Sequence, residues 1–213
     1  MEARGQWRGR EALLGLMALI TAITLLDWAI GLEEWMMVPG LVTVAWEGLQ
    51  NGVYDRLVLT TLSTSLTAGF LHADVGHLVG NMLFLWLFGA ALSDRIGSWL
   101  VWPVFLFSVI GGSLGQILLD PSDLVPSLGA SGGLMGVEGC YFGLALSRSL
   151  PRAEVWPLAG PVTAERMAVF AAIGIALDFT GLLGGAQGIA YGAHIGGFVT
   201  GILLSFVPFK IRA

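Results

Sequence analysis

The sequence is poor in charge, in cysteine and in histidine. Charged residues make up 12% of the 213 residues, whereas a typical soluble domain carries about 25%. Because 55% of the residues are hydrophobic and the mean hydropathy is +0.80, the composition excludes a soluble globular domain and indicates an integral membrane protein. The single Cys140 excludes an intrachain disulfide. No basic tract and no zinc-like Cys/His spacing occurs, so we expect neither a nucleic-acid partner nor a metal.

Six apolar stretches approach the length of about 20 residues that a membrane span needs. They cover residues 12–32, 75–93, 97–119, 131–149, 167–186 and 188–208. The sequence therefore predicts an all-α protein with one six-helix membrane domain over residues 12–208, an N-terminal tail at 1–11 and a C-terminal tail at 209–213. The connection 33–74 contains Trp35, Met36, Met37 and Trp46, so we expect it to lie partly in the membrane interface.

The first stretch has some features of a signal peptide, because arginines precede it. Its apolar core is longer than a usual signal-peptide core, and Ala29-Ile30-Gly31 is a poor cleavage site. We therefore expect a retained first helix.

The basic residues predict the orientation. With six spans, one side of the membrane carries nine of the ten basic residues: Arg4, Arg8, Arg10, Arg95, Arg148, Arg152, Arg166, Lys210 and Arg212. The other side keeps only Arg56, among several acidic residues. The positive-inside rule then predicts that both termini are cytoplasmic.

Four polar residues are predicted to lie at one depth. The second, fourth and sixth spans all run inward from the outer side. His77 and Asn81 fall in the opening turns of the second span, Ser131 at the start of the fourth, and His194 about two turns into the sixth. At 1.5 Å per residue all four lie in roughly the outer third of the membrane, and His77 and Asn81 share a helix face because they are four residues apart.

These residue types suit acyl transfer, which needs a nucleophile, a base and donors for the developing oxyanion. Ser131 can attack and His194 can deprotonate it. His77, Asn81 and the backbone N–H of Ser131, free at a helix N-terminus, can donate to the oxyanion. Each residue alone has another interpretation: a membrane serine usually bonds its own i−4 carbonyl, and a Gly-x-x-x-Gly pair such as Gly197 and Gly201 is a packing element.

Three motifs make the chain resemble the rhomboid family of intramembrane serine proteases from about residue 66 to 208. They are Phe70-Leu71-His72-Ala73-Asp74-Val75-Gly76-His77-Leu78-Val79-Gly80-Asn81-Met82, Gly129-Ala130-Ser131-Gly132 and Ala193-His194-Ile195-Gly196-Gly197-Phe198. The resemblance implies a six-helix core, Ser131 as nucleophile, His194 as its partner, and His77 and Asn81 in the oxyanion hole. It also implies that His72 supports the site, as we expect of Gly129, Gly132, Met135 and Gly197.

The chain departs from the family pattern at two positions. Met135 stands where the family often has an aromatic residue against the catalytic imidazole, and Thr64 stands where it often has an arginine. The family uses no third catalytic acid, which agrees with the lack of a carboxylate near His194 in sequence. We expect three intramembrane carboxyl groups, those of Asp27, Glu138 and Asp178, to be protonated or hydrogen-bonded; the resemblance places Asp178 near a substrate entrance.

The sequence thus predicts an intramembrane endopeptidase of a bacterial or archaeal plasma membrane, with transmembrane proteins as substrates, lipid around it and no cofactor. One alternative is an inactive relative that binds membrane clients, which the intact Ser131 and His194 disfavour. The other is a small-solute transporter, which would be expected to show inverted repeats that this sequence lacks. Substrate identity and oligomeric state do not follow from the residues.

Overall fold

The computed structural model describes residues 9–155, 161–184 and 188–211, and they form an all-helical protein. Eight helices occur in these ranges: α1 (Glu11–Ile30), α2 (Pro39–Gln50), α3 (Arg56–Thr67), α4 (Val75–Ile96), α5 (Ser98–Leu119), α6 (Ser131–Ser147), α7 (Ala164–Leu183) and α8 (Tyr191–Ser205). Residues 1–8 of the predicted N-terminal tail 1–11, with Arg4 and Arg8, lie outside the described residues, as does Arg212 of the predicted C-terminal tail. The predicted all-α class is confirmed.

Six of these helices correspond to the six apolar stretches, although their ends differ from the predicted ones. The helix α7 begins three residues before 167, because the Thr163 side chain caps it by accepting the N–H of Arg166. The helix α8 begins three residues after 188 and ends at Ser205, shortly before Pro208, which cannot continue a helix. Hydropathy does not register such caps and breaks.

Four helices are long and apolar enough to cross a membrane: α1, α4, α5 and α7. The protein is therefore a multi-pass membrane protein. The helices α6 and α8 have only 17 and 15 residues, so their length alone does not identify them as spans.

The connection 33–74, which the sequence analysis described as a loop, contains two further helices. Pro39 occupies the first turn of α2, where its missing N–H costs nothing. The Asp55 carboxylate caps α3 by accepting the N–H of Val58 at 2.8 Å. Both helices expose large apolar side chains, including Trp46 and Leu57, as a segment in the membrane interface would.

The helices α5, α6 and α8 form the centre of the bundle and meet backbone to backbone. A Cβ atom added at Gly201 would overlap the carbonyl oxygen of Gly136, and one added at Gly196 would overlap that of Gly111. Glycine is therefore required on these faces, because any side chain would push the helices apart.

A charged cluster joins the ends of α1 and α4 that lie away from Ser131. Arg10 forms a salt bridge with Asp94 at 2.6 Å, and its guanidinium lies 5.4 Å from the ring centre of Trp86. Arg95 donates to the carbonyl oxygen of Arg152 at 3.0 Å. These contacts fix α1 and α4 against the connection that follows α6.

His72 joins α1 to the segment that precedes α6. The Ala130 N–H donates to His72 Nε2 at 3.3 Å, and His72 Nδ1 lies 2.9 Å from the Thr24 hydroxyl oxygen. Because a backbone N–H can only donate, Nε2 is the unprotonated nitrogen and Nδ1 carries the proton, which it donates to Thr24. The Thr24 hydroxyl in turn donates to the carbonyl oxygen of Phe70 at 3.0 Å. The network is complete only with a neutral His72.

We predict that His72 makes the protein less stable in acid. Burial, and to a smaller degree the neighbouring His77, lower the pKa of His72 from 6.5 to about 4. As the pH falls, His72 therefore binds its proton near pH 6.5 in the unfolded chain but only near pH 4 in the folded protein. The stability that neutral His72 contributes is therefore complete above pH 6.5. It declines as the pH falls toward 4, by at most about 3 kcal/mol.

Thermal unfolding of the detergent-solubilised protein between pH 7 and pH 4 tests this prediction. The melting temperature of wild type should fall more steeply than that of His72→Gln, which cannot titrate. Parallel curves for the two proteins would contradict the prediction.

Candidate active site

Ser131 is the first residue of α6, and the residues before it fix its position. Gly129 has φ +128°, which favours glycine, and a Cβ atom there would lie 2.9 Å from His77 Nε2 and 3.7 Å from Ser131 Oγ. The next residue, Ala130, is held by His72 through its N–H. Ser131 is half-buried, and among the described residues its backbone N–H has no acceptor. The Ser131 hydroxyl and a backbone N–H without an acceptor therefore lie side by side at the start of α6.

The first two turns of α4 carry two of the predicted site residues, His77 and Asn81. The helix begins at Val75 because the Asp74 carboxylate accepts the N–H of His77 at 2.8 Å, and the ring of His77 then lies beside Gly129. Asn81, one turn further along, is only 7% exposed. Within the described part of the chain its amide Nδ2 has no hydrogen-bond partner. A buried amide donor without a partner is costly, and such groups in native structures call for an explanation.

His194 lies in the first turn of α8, not two turns into the helix, because α8 begins at Tyr191. Its Nδ1 lies 2.9 Å from Asp178 Oδ2. No carboxylate lies near His194 along the sequence, and the structure brings one from another helix, α7. The Asp178 carboxyl group is thus hydrogen-bonded, as expected of an intramembrane carboxyl group. The ring of His194 is also close enough to His77 for the two imidazoles to interact electrostatically.

The structure brings the start of α6 against the start of α8. A Cβ atom at Gly132 would lie 3.4 Å from the carbonyl oxygen of Ala193, and one at Gly197 would overlap the carbonyl oxygen of Gly132. Among the described residues no hydrogen bond joins Ser131 Oγ to His194. Such bonds are often long before substrate binds. A cavity of about 20 Å³ lined by Ser131, Gly132 and Ala193 has room for one water molecule.

The two positions that depart from the family pattern are both internal. Met135 is buried in the main hydrophobic core, one turn after Ser131. Thr64 is buried, and its hydroxyl donates to the carbonyl oxygen of Thr61 within α3. Thr64 therefore has no part in the arrangement around Ser131.

A cleft of about 520 Å³ opens above this cluster. His77, Asp123, Ser127, Gln116 and Gly188 are among the residues that line it. Gln116 was not predicted as a site residue. Its Oε1 accepts the N–H of Ala193 at 3.3 Å and so holds the start of α8. A glutamine inside a predicted span was the signal that could have identified it.

The other intramembrane carboxyl groups lie apart from Ser131. Asp27 Oδ1 accepts the N–H of Leu32 at 2.7 Å and so caps the end of α1, as expected of a hydrogen-bonded carboxyl group. Glu138 is buried on α6, where a Cβ atom at Gly174 of α7 would lie 3.5 Å from its Oε1. Within the described residues no group of three or more His, Cys, Asp or Glu side chains could hold a metal ion.

A family model described as Rhomboid domain matches residues 59–211. Rhomboid protein 1, mitochondrial, of Saccharomyces cerevisiae is 32% identical over 163 residues, which are 74% of this chain and 45% of that protein. Rhomboid-like protein 11, chloroplastic, of Arabidopsis thaliana is 30% identical over 147 residues, which are 68% of this chain and 52% of that protein.

Rhomboid-related protein 1 of Caenorhabditis elegans is 32% identical over 144 residues, 65% of this chain and 37% of that protein. The chain spans about half the length of the curated relatives it matches first. The Rhomboid domain match covers most of the helical core described above, including Ser131 and His194. This chain belongs to the rhomboid family.

Proposed function

We propose that the protein is an intramembrane serine endopeptidase that cuts membrane proteins in or near their transmembrane segments. The observation that carries the proposal is the buried amide of Asn81, which has no partner among the described residues. It lies one turn after His77, whose ring lies beside Gly129 just before Ser131 at the start of α6. A buried donor without a partner costs about 1–3 kcal/mol. The free-energy cost of the unpaired Asn81 donor is explained if this donor stabilises an oxyanion that forms only during the reaction.

The proposed reaction uses Ser131 as nucleophile and His194 as base. Ser131 Oγ attacks the scissile carbonyl carbon while His194 takes its proton. Asn81, His77 and the Ser131 N–H donate to the oxyanion. The tetrahedral intermediate then collapses, the C–N bond breaks, and His194 returns the proton to the leaving amine. Water hydrolyses the acyl-enzyme by the same route in reverse, and reaches Ser131 through the 520 Å³ cleft.

The substrate class follows from how helices hide their backbone. A transmembrane helix uses its carbonyl groups in i→i−4 bonds, so it must unwind before Ser131 can attack. Segments with glycine, proline or polar residues near the membrane boundary unwind at lower cost. We therefore propose transmembrane proteins with such segments as substrates. The family resemblance adds small residues at the cut site.

We further propose six spans with both termini cytoplasmic, in the plasma membrane of a bacterium or archaeon. The helices α6 and α8 are short, but they pack between longer helices, and we therefore include them among the six proposed spans. The division of basic residues supports the orientation. The named mitochondrial and chloroplastic relatives are organelle proteins by name, so this choice of membrane rests on the sequence analysis alone.

We predict that cysteines at Ser149 and Ser122 react from opposite sides. Both residues are exposed, one after α6 and one between α5 and α6. A membrane-impermeant thiol reagent applied to intact cells should label Ser122→Cys and not Ser149→Cys, and should label Ser149→Cys after the cells are opened. The native Cys140 is buried and gives little background. Labelling of Ser149→Cys in intact cells would contradict the orientation.

We predict that Ser131→Ala abolishes both labelling by a fluorophosphonate and cleavage of a model transmembrane substrate, because the attacking oxygen is gone. Ser147→Ala is the matched control on the same helix, since the Ser147 hydroxyl donates to carbonyl oxygens of its own helix, those of Gly143 at 2.7 Å and Leu144 at 3.5 Å. It should keep both activities. Turnover by purified Ser131→Ala would disprove its assignment as nucleophile.

The same experiment tests the second candidate function. An inactive relative that binds membrane clients is favoured by one observation, the missing hydrogen bond between Ser131 and His194. A folded wild-type protein that is neither labelled nor active, but retains a transmembrane client, would support that function in place of proteolysis.

We predict that Asn81→Ala lowers kcat by about 10- to 10³-fold, because one of several oxyanion donors is lost. Asn51→Ala is the control, since Asn51 is exposed and its amide caps α2 by donating to Glu47; its kcat should stay at the wild-type value. Steady-state kinetics of both variants give the comparison. An unchanged kcat together with a lower melting temperature for Asn81→Ala would show that Asn81 has a structural role only.

A further inference from the structure

The geometry points to Asp178 as a positioning residue for His194: its carboxylate accepts the Nδ1–H, so that Nε2 is the nitrogen left free for Ser131. This inference rests on the proposed function, in which His194 is the base. Asp178 lies on α7 and does not contact the reacting atoms in the proposed reaction, so it acts through His194.

The contact between the two side chains is short and shielded. Asp178 Oδ2 lies 2.9 Å from His194 Nδ1, and the two side chains are only 15% and 18% exposed. In such a place a hydrogen bond is stronger than in water, and an unpaired carboxylate is costly. It is the one side-chain contact within 4 Å between a histidine and a carboxylate in the described part of the chain.

The contact with Asp178 determines which tautomer the His194 imidazole adopts. A neutral imidazole has one N–H and one lone pair. A carboxylate can only accept, so it holds the proton on Nδ1 and leaves the lone pair on Nε2, the nitrogen that must take the serine proton. When that proton arrives, the carboxylate also stabilises the new positive charge.

The position of Asp178 on α7 fits this task better than a role as a helix tie. The buried residues of α7 all lie in its first half: Ala164, Met167, Ala168 and Ala171. The half that carries Asp178 has no buried residue, and its neighbours include the Tyr191 hydroxyl beside Gly181. A packing contact there would be served by any apolar residue. Among the described residues, the imidazole of His194 is the one hydrogen-bond partner of this carboxylate.

Two other titratable groups approach this pair. Glu138 of α6 lies near enough to Asp178 to interact with it electrostatically, and His77 of α4 interacts with His194 in the same way. Neither forms a hydrogen bond with His194 in the described ranges. Asp178 is thus the group that determines the orientation of the His194 ring.

The first test is the kinetics of Asp178→Asn, which keeps the shape and removes the charge. We expect kcat to fall by on the order of 10²–10⁴-fold, as when a histidine base holds the wrong tautomer, with KM unchanged. Asp178→Glu should restore part of kcat. Asp27→Asn is the matched control, because it removes an intramembrane carboxylate from α1, and it should keep the wild-type kcat. An unchanged kcat in Asp178→Asn would overturn the inference.

The second test needs no catalysis. Nitrogen chemical shifts of ¹⁵N-histidine-labelled protein report which ring nitrogen carries the proton, and the chain has only three histidines. In the Ser131→Ala protein at neutral pH, His194 should be protonated at Nδ1, and Asp178→Asn should convert it to a mixture of tautomers. An unchanged Nδ1 proton after Asp178→Asn would overturn the inference. Failure of the proposed function appears separately, as a wild-type protein with this tautomer and no turnover.

Discussion

The direct contact of backbones among α5, α6 and α8 is the constraint on which the remaining structure depends. Ser131 and His194 have short side chains at the beginnings of different helices, and they can approach each other only if those helices lie closer together than side chains ordinarily allow. Gly132 against Gly197, and Gly136 against Gly201, provide that approach. The more peripheral helices α1, α4 and α7 then add polar groups around a centre whose spacing is already determined. Membrane helices gain little from burying apolar surface, so close backbone packing is also the main source of their cohesion.

Polar groups around Ser131 fall into two classes with opposite physical meaning. His72 has both ring nitrogens satisfied, by Thr24 and by Ala130, and so it acts as a rigid brace. The Asn81 amide nitrogen and the Ser131 N–H have no hydrogen-bond partner among the described residues. If every donor at the site had a partner, none would be available to bind a new negative charge. If no donor had a partner, the site would not keep its structure. The combination suits a preorganised environment, in which the supporting bonds carry the cost of keeping a few donors free.

The sequence predicted those features that depend on residue type and local spacing. Apolar runs located six of the helices, and the motifs singled out His72, His77, Asn81, Ser131 and His194, which the structure places around the starts of α4, α6 and α8. It did not predict α2 and α3, because their short amphipathic faces look like interfacial loop when only long apolar runs are sought. Nor did it predict the partner of His194. Asp178 is 16 residues away along the chain, and only the packing of α7 beside α8 makes the two side chains neighbours.

The short length of the central helix has a consequence for water and charge. With 17 residues α6 extends about 25 Å, whereas α4 and α5, with 22 residues each, extend about 33 Å and match a hydrocarbon thickness of about 30 Å. A short helix among longer ones leaves a hollow at one end, and the 520 Å³ cleft lies at the end where α6 begins. Solvent can fill such a hollow below the level of the lipid headgroups. The ionic intermediate of the proposed reaction would be hydrated from one side there, and the barrier that hydrocarbon imposes on separating charge would be correspondingly lower.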